Sequence, residues 1–368
     1  MNIETMIYIY IAICISLIVY NCVYLFILRR REKNLTWDSE NFKDRISEQL
    51  QKISNNESVD DAHVEFLNKS LKKVKYLTAF DKSLDEAYKD APEITEKYIA
   101  QIYPVFAHLT KEYLSKDDIT ATYFPYIVGK YNILKYADTD EIINIMFELL
   151  CSENVYCREN ALKAIYGTGN SDYVAEALKA IDNDRNFHHS KLVCDGLMSF
   201  AGEKSELASK LLEKFERYSV NMQLNILNYI RFAGVRCDEM FLSVLHDEKR
   251  DNELRFSAIR YFEKFPHEGA KDLLQSFARN EDKLPWQYQA IASSAIKSYP
   301  DKLTFEILKD NLSSANWYVR LNSAVSCEKM GYTYTELINI FDGNDRYARE
   351  ILRYCLDRRK AKEKAVAK

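Results

Sequence analysis

The side chains able to do chemistry are scattered along this chain, and their spacing decides what they are fit for. His188 and His189 are adjacent, so on a helix they point in different directions and do not converge on one metal. No HExxH pattern or carboxylate triad accompanies them. The eight cysteines include no CxxC and no Cys/His pair at zinc spacing. Cys14 and Cys22 fall in an apolar run, while Cys151, Cys157, Cys194, Cys237, Cys327 and Cys355 are dispersed. They read as small apolar side chains of a reducing compartment. Gly167-Thr168-Gly169 has no following Lys, so it reads as a helix cap and not a phosphate cradle. No Ser/His/Asp or Cys/His arrangement stands out. The expectation is therefore a protein with no catalytic residue, no metal site and no cofactor.

Two other sets of residues do recur. Arg158, Lys191, Gln223, Arg255, Gln289, Arg320 and Arg349 follow one another at steps of 33, 32, 32, 34, 31 and 29. A small or apolar residue stands three places after each: Ala161, Cys194, Ile226, Ala258, Ala292, Ser323 and Leu352. Trp286 and Trp317 each precede their repeat position by three. With Tyr318 and Tyr347 they form an aromatic set that serves either inter-repeat packing, the first reading, or a partner-binding hot spot. The basic tail, with Arg358, Arg359, Lys360, Lys362, Lys364 and Lys368 against Glu363, reads as a solvated, frayed end rather than a contact for anionic lipid.

The elements that must position these residues are helices. Nine glycines and six prolines in 368 residues are too few for the turns of a sandwich or barrel. Segments such as VYCRENALKAIYGTG, NELRFSAIRYFEKFP and WYVRLNSAVSCEKMG are amphipathic and close on Gly or Pro. Partners such as KSELASKLLEKFERY lie between them. In that one, Leu207, Leu211, Phe215 and Tyr218 share one face. Two helices per ~32 residues, repeated, predict an all-α solenoid whose pairs bury one another.

Upstream, Met6 to Leu28 is apolar apart from Ser16 and Asn21 and carries no charge. Its length at ~1.5 Å per residue is about 34 Å, enough to cross a hydrocarbon core of ~30 Å. The start lacks the basic residues of a signal peptide, so a retained transmembrane helix is expected. Arg29, Arg30, Arg31 and Lys33 flank its C-terminal end, which predicts a cytoplasmic C-terminal part and a short outer N-terminus. From Thr36 the chain reads as charged helices broken at Asn55-Asn56, with Val64, Leu67, Leu71, Val74 and Leu77 as one stripe packing within the chain. Pro104 and Pro125 sit inside periodic patterns and are expected to kink or split their helices.

The recurring helix resembles the second helix of HEAT repeats. The features are Asn154-Val155…Arg158…Ala161, Asn252…Leu254-Arg255…Ala258 and Asn316…Val319-Arg320…Ser323, each helix closing on Gly or Pro. Gln223 and Gln289 depart from the Arg of that pattern, and Lys191 does so conservatively. The resemblance covers roughly residues 139–356 and implies a right-handed α-solenoid of helix pairs. It further implies that the repeated Arg forms a ladder with acids in the turns, here Glu153, Asp184, Asp251 and Asp345.

The organisation expected is a transmembrane helix at 6–28, a charged helical segment at 29–91 and a divergent helical pair at 92–138. HEAT-like repeats at 139–357 and a basic tail at 358–368 complete it. The function expected is a membrane-anchored cytoplasmic scaffold that binds a membrane-associated protein partner. A composition rich in Lys, Asn, Ile and Tyr suggests a bacterial envelope complex. The resemblance leaves two alternatives: a nucleic-acid-binding HEAT-like protein, glycosylase-like or passive, and a bilin-lyase-like protein. A net charge of -4 argues against nucleic acid.

Overall fold

A computed structural model describes residues 3–114, 118–136, 141–183, 188–281 and 283–366. Among them every regular element is a helix. Contacts divide the chain into two units, one running through His188 with Ser199–Gly202 added, the other comprising His189–Met198 and the residues from Glu203 onward.

Unit 1 begins with α1 (Ile3–Ser54), a single helix of 52 residues. No Gly or Pro interrupts it, and its charged middle consists of good helix formers. The boundary expected at residue 29 therefore falls inside one rod. The two halves of that rod live in different surroundings. The most apolar stretch of the first half is covered by no other described residue. In the second half, Phe42, Ile46, Gln49 and Ile53 are buried at helical spacing, against α3 (Val74–Asp90) and α4 (Pro92–Leu114). Asn56 takes a left-handed backbone conformation, φ 62°, and ends the helix at the expected place.

The stripe from Val64 to Leu77 is not one helix. It is split between α2 (Asp61–Ser70) and α3 at Leu71. The Tyr113 hydroxyl donates 2.6 Å to the Leu71 carbonyl, and so satisfies an acceptor that the break releases. Leu67, Leu71 and Leu77 are nevertheless fully buried. Unit 1 continues with α5 (Asp118–Lys130), α6 (Glu141–Leu149), α7 (Val155–Gly167) and α8 (Ser171–Asn183). Neither Pro104 nor Pro125 ends its helix; α4 and α5 run on past them. Asp81 on α3 accepts from the Lys130 ammonium at 2.7 Å, the Tyr131 hydroxyl at 2.7 Å and the Tyr123 hydroxyl at 2.8 Å. That network ties α3 to α5 through a buried, fully engaged carboxylate.

Unit 2 holds α9 (Ser190–Met198), α10 (Lys204–Glu213), α11 (Val220–Ala233), α12 (Asp238–His246), α13 (Asn252–Lys264) and α14 (Glu268–Arg279). It continues with α15 (Trp286–Ala295), α16 (Lys302–Asn311), α17 (Trp317–Lys329), α18 (Ile338–Phe341) and α19 (Arg346–Val366). The odd-numbered helices pack each on the next, from α9 to α19, and α12, α14 and α16 form a second row. Each even helix also packs on the odd helix that follows it. The division into units falls inside the stretch expected as one array, because α7 and α8 belong to unit 1.

The small residues of the repeat explain how closely the odd helices approach. Ile226, Ala258, Ala292, Ser323 and Leu352 have no exposed surface. A carboxylate placed at such a site has neither water nor a cation. Ala258→Asp is therefore expected to destabilise unit 2 by at least about 3 kcal/mol. A thermal melt followed by circular dichroism measures this, and an unchanged midpoint would contradict the repeat register.

Unit 1 carries a second, pH-dependent expectation. His63 is buried on α2, 2.8 Å from the Tyr98 hydroxyl. Burial, helped by the Arg45 charge, pushes its pKa down to about 4. In the unfolded chain it returns to about 6.5, so between those values the unfolded state binds the proton more readily. Stability supplied by neutral His63 is complete above that window and is lost as pH falls through it. His63→Gln should flatten the pH dependence of the urea midpoint between about pH 6.5 and 4; an identical slope in variant and parent would refute the assignment.

Candidate partner-binding surface

The repeated basic or amide position is built into the turns of the fold. Arg158 is buried, and its Nη1 donates to the carbonyls of Ser152 at 2.7 Å and Glu153 at 3.0 Å. Gln223 Nε2 donates 3.1 Å to the Phe215 carbonyl. Arg255 Nε donates 3.2 Å to the Leu245 carbonyl, and its guanidinium lies 5.1 Å from the ring centres of Phe277 and Tyr288. Arg349 Nη1 donates to the Gly343 carbonyl. Gln289 instead bonds Asn311 Oδ1 at 3.0 Å, and Asn311 Nδ2 reaches the Ala278 carbonyl at 2.8 Å. The acceptors are main-chain carbonyls at the ends of preceding helices, which carry partial negative charge and lack helical partners.

At Glu153, Asp251 and Asp345 this replaces the acid ladder that the resemblance implied. Asp251 and Asp345 act as N-caps: Asp251 accepts from the Glu253 amide at 2.8 Å, and Asp345 from the amides of Tyr347 at 2.9 Å and Ala348 at 3.1 Å. At Glu153 the oxygen that Arg158 reaches is the carbonyl, a main-chain group. Asp184 lies outside the described residues. Lys191 is exposed, and Arg320 lies 5.2 Å from the Tyr347 ring centre.

The aromatic set leaves the core. Trp286 is 43% exposed, Trp317 52%, Tyr318 53% and Tyr347 66%. Each stands in the first turn of its helix, α15, α17 or α19. Trp286 and Tyr318 stack across neighbouring helices, centroids 5.3 Å apart and planes 16° apart. Trp317 meets Tyr318 edge-on at 5.1 Å. Inter-repeat contact is therefore present, in the Trp286–Tyr318 stack, while burial in the core is not: the four rings keep about half or more of their surface in solvent, and Tyr347 faces the Arg320 guanidinium. A row of mutually braced aromatics is rigid and costs little entropy to bind. Tyr354, also exposed, was not singled out from the sequence; its place seven residues after Tyr347 on one face of α19 is the signal that marks it.

Other residues fall elsewhere. His188 Nε2 is 3.3 Å from Glu159 in unit 1, while His189 Nδ1 accepts from the Lys191 amide at 3.1 Å as a local cap. The two rings serve separate neighbours. Cys157, Cys327 and Cys355 are buried and Cys151 is exposed; burial pushes the Cys327 thiol up to about 12. Arg29, Arg30, Arg31 and Lys33 are exposed along α1. The first residues of the tail are anchored: Arg358 pairs with the buried Glu328 at 2.6 Å, and Arg359 donates 3.1 Å to the Glu328 carbonyl. The helix runs on to Val366, and Lys368 lies outside the described residues.

Unit 1 has two open cavities, about 380 and 310 Å³, that share Lys130 as a lining residue. Its ammonium is engaged by Asp81 and by Asp85, each at 2.7 Å. Burial opposes ionisation of both Lys130 and Asp85, but their mutual hydrogen bond and those to Asp81 and Tyr131 outweigh it. The lysine is held above its usual range and Asp85 below. Such a pair is a brace, with the lysine locked in its charged form.

No protein-family model matches this chain, and no curated protein matches it.

Proposed function

We propose that this protein is a membrane-anchored scaffold whose C-terminal helix pairs form a HEAT-like solenoid that binds a protein partner through its exposed aromatic row. The observation that carries the binding part is the exposed set of Trp286, Trp317 and Tyr318, braced ring on ring, with Tyr347 against the Arg320 guanidinium. Exposed tryptophans and tyrosines next to arginine are the side chains that dominate protein interfaces. The solenoid reading is supported by the packing of each odd helix on the next and by the recurring carbonyl-capping side chain. The anchor reading is supported by the uncovered apolar half of α1. The cytoplasmic orientation is supported by the basic cluster Arg29–Arg31 and Lys33 that follows it. Tethering confines the binding surface near a membrane-associated partner and raises its effective concentration there.

A photoreactive phenylalanine analogue at position 317 of the full-length protein, in its native membrane, tests this. The expected result is one discrete crosslinked protein. Trp286→Ala should reduce its capture about tenfold, the loss of a hot-spot side chain, while the melting midpoint stays within about 2 °C, because the ring is half exposed. Absence of a crosslink at 317, or capture indifferent to Trp286, would contradict the proposal.

A further inference from the structure

The ends of α11 and α13 gather an unbalanced set of charges. Arg231 and Lys297 lie near one carboxylate, Glu263, whose own helix α13 also carries Arg260 and Lys264. Lys297 hydrogen-bonds Glu263 and also donates 2.5 Å to the Ser294 carbonyl, so the only acid of the group is already taken. Lys264 donates 2.7 Å to the Arg231 carbonyl, which brings a third cation to the same edge.

Neither arginine forms an ion pair among the described residues, although Glu263 is near enough to Arg231 to favour its charge. Among the described residues the Arg231 side chain makes a single hydrogen bond, from Nη2 to the neutral Asn228 Oδ1 at 3.1 Å, an oxygen that also accepts from Ser257 Oγ at 3.3 Å. Its Nε is buried and has no partner. Arg260, half-buried on the neighbouring helix, makes no hydrogen bond, ion pair or ring contact among the described residues. Burial and the nearby Arg260 charge both hold Arg231 below its usual pKa. Beside them Phe232 stands exposed, its ring centre 4.4 Å from the Arg231 guanidinium carbon. Two adjacent, half-buried guanidiniums with a free donor edge raise the energy of the unliganded protein, and an anion removes that cost.

We propose that Arg231 and Arg260, with Lys264 and Phe232, form a carboxylate-binding site for an acidic segment of the partner protein in which an apolar residue adjoins the acids. Guanidinium donors in a fixed fork match carboxylate geometry, and Phe232 offers the apolar neighbour a landing surface. A nucleic acid fits less well. Strong backbone binding draws on a track of about 6–10 phosphate contacts, whereas this cluster has four cations and an acid in their midst. The inference rests on the protein-binding reading of unit 2, but it uses residues distinct from the aromatic row, so the two can fail separately.

Fluorescence anisotropy of the full-length protein in detergent, with a labelled (Glu-Glu-Leu)4 peptide as probe, tests the site. At about 50 mM salt, Arg260→Gln should weaken binding about fivefold, and Arg231→Gln/Arg260→Gln at least about twentyfold. Glu263→Gln should tighten it by about threefold, since the competing acid is gone. Lys302→Gln, at an exposed residue of α16, should leave it unchanged, as should Trp286→Ala. The Arg260 guanidinium makes no hydrogen bond or ion pair among the described residues, so its single variant still decides the matter if the double variant unfolds. Failure of the parent to bind the peptide, or equal binding by parent and Arg260→Gln, would overturn the site. So would tighter binding of a thymidine 12-mer through the same arginines, which would reassign it to nucleic acid. Loss of the partner crosslink at position 317 with peptide binding intact would instead fault the aromatic row alone.

Discussion

Among the described residues, the large apolar side chains of α1 from Ile7 to Leu28 are exposed and uncovered. Each large one contributes on the order of 1–3 kcal/mol when removed from water. The same helix then supplies Phe42, Ile46 and Ile53 to the interior of unit 1. One rod thus has an uncovered apolar half and a half built into unit 1, with no break between them. In the proposed reading the rod's first half is surrounded by hydrocarbon. Its second half cannot leave unit 1 without exposing that unit's core. In the proposed reading this rigidity is the purpose of the element. A helix that is both anchor and core fixes unit 1 to the bilayer in a set orientation, which a disordered tether would not do.

Unit 2 meets a different constraint with a repeated solution. Short helices expose four carbonyls at each C-terminal end, and helices of nine to fourteen residues, the length of all those from α9 to α17, have many ends for their length. Arg, Gln and Asn side chains reach back to those carbonyls, while Ser219, Asp251, Asp301 and Asn316 accept the amides that open the helices. Small residues such as Ala258 and Ala292 let neighbouring backbones approach. With these demands met inside the stack, aromatics in the first turns and cations near the last turns are spare. The proposed functions rest on those spare groups.

Helix type, the uncovered apolar run and the repeat spacing were legible because they are properties of hydrophobic period, which the chain displays directly. The break at Leu71 was not, since Leu67, Leu71 and Leu77 keep helical spacing across it and the hydroxyl that stabilises it comes from Tyr113 on another helix. The partners of the repeated Arg were misread because main-chain carbonyls occur at every position and leave no mark in sequence; acids do, and drew the assignment. The aromatic set was visible in the sequence, but its exposure was not. Trp286 and Trp317 lie at the opening of their helices, where one turn separates a packed ring from an exposed one. The Arg231–Arg260 cluster escaped notice because its members sit about one repeat apart and only the packing of α11 on α13 brings them together.

Accessibility of Cys151, exposed on unit 1 beyond the apolar half of α1, bears most directly on the anchored arrangement. Sealed cells freed of any outer envelope are treated with a charged, impermeant maleimide before and after permeabilisation, and labelling is read at Cys151 by mass spectrometry. The membranes are also washed with alkaline carbonate. The account predicts labelling only after permeabilisation and a protein that stays in the washed membrane. Labelling of intact cells, or release of the full-length chain by carbonate, would contradict it.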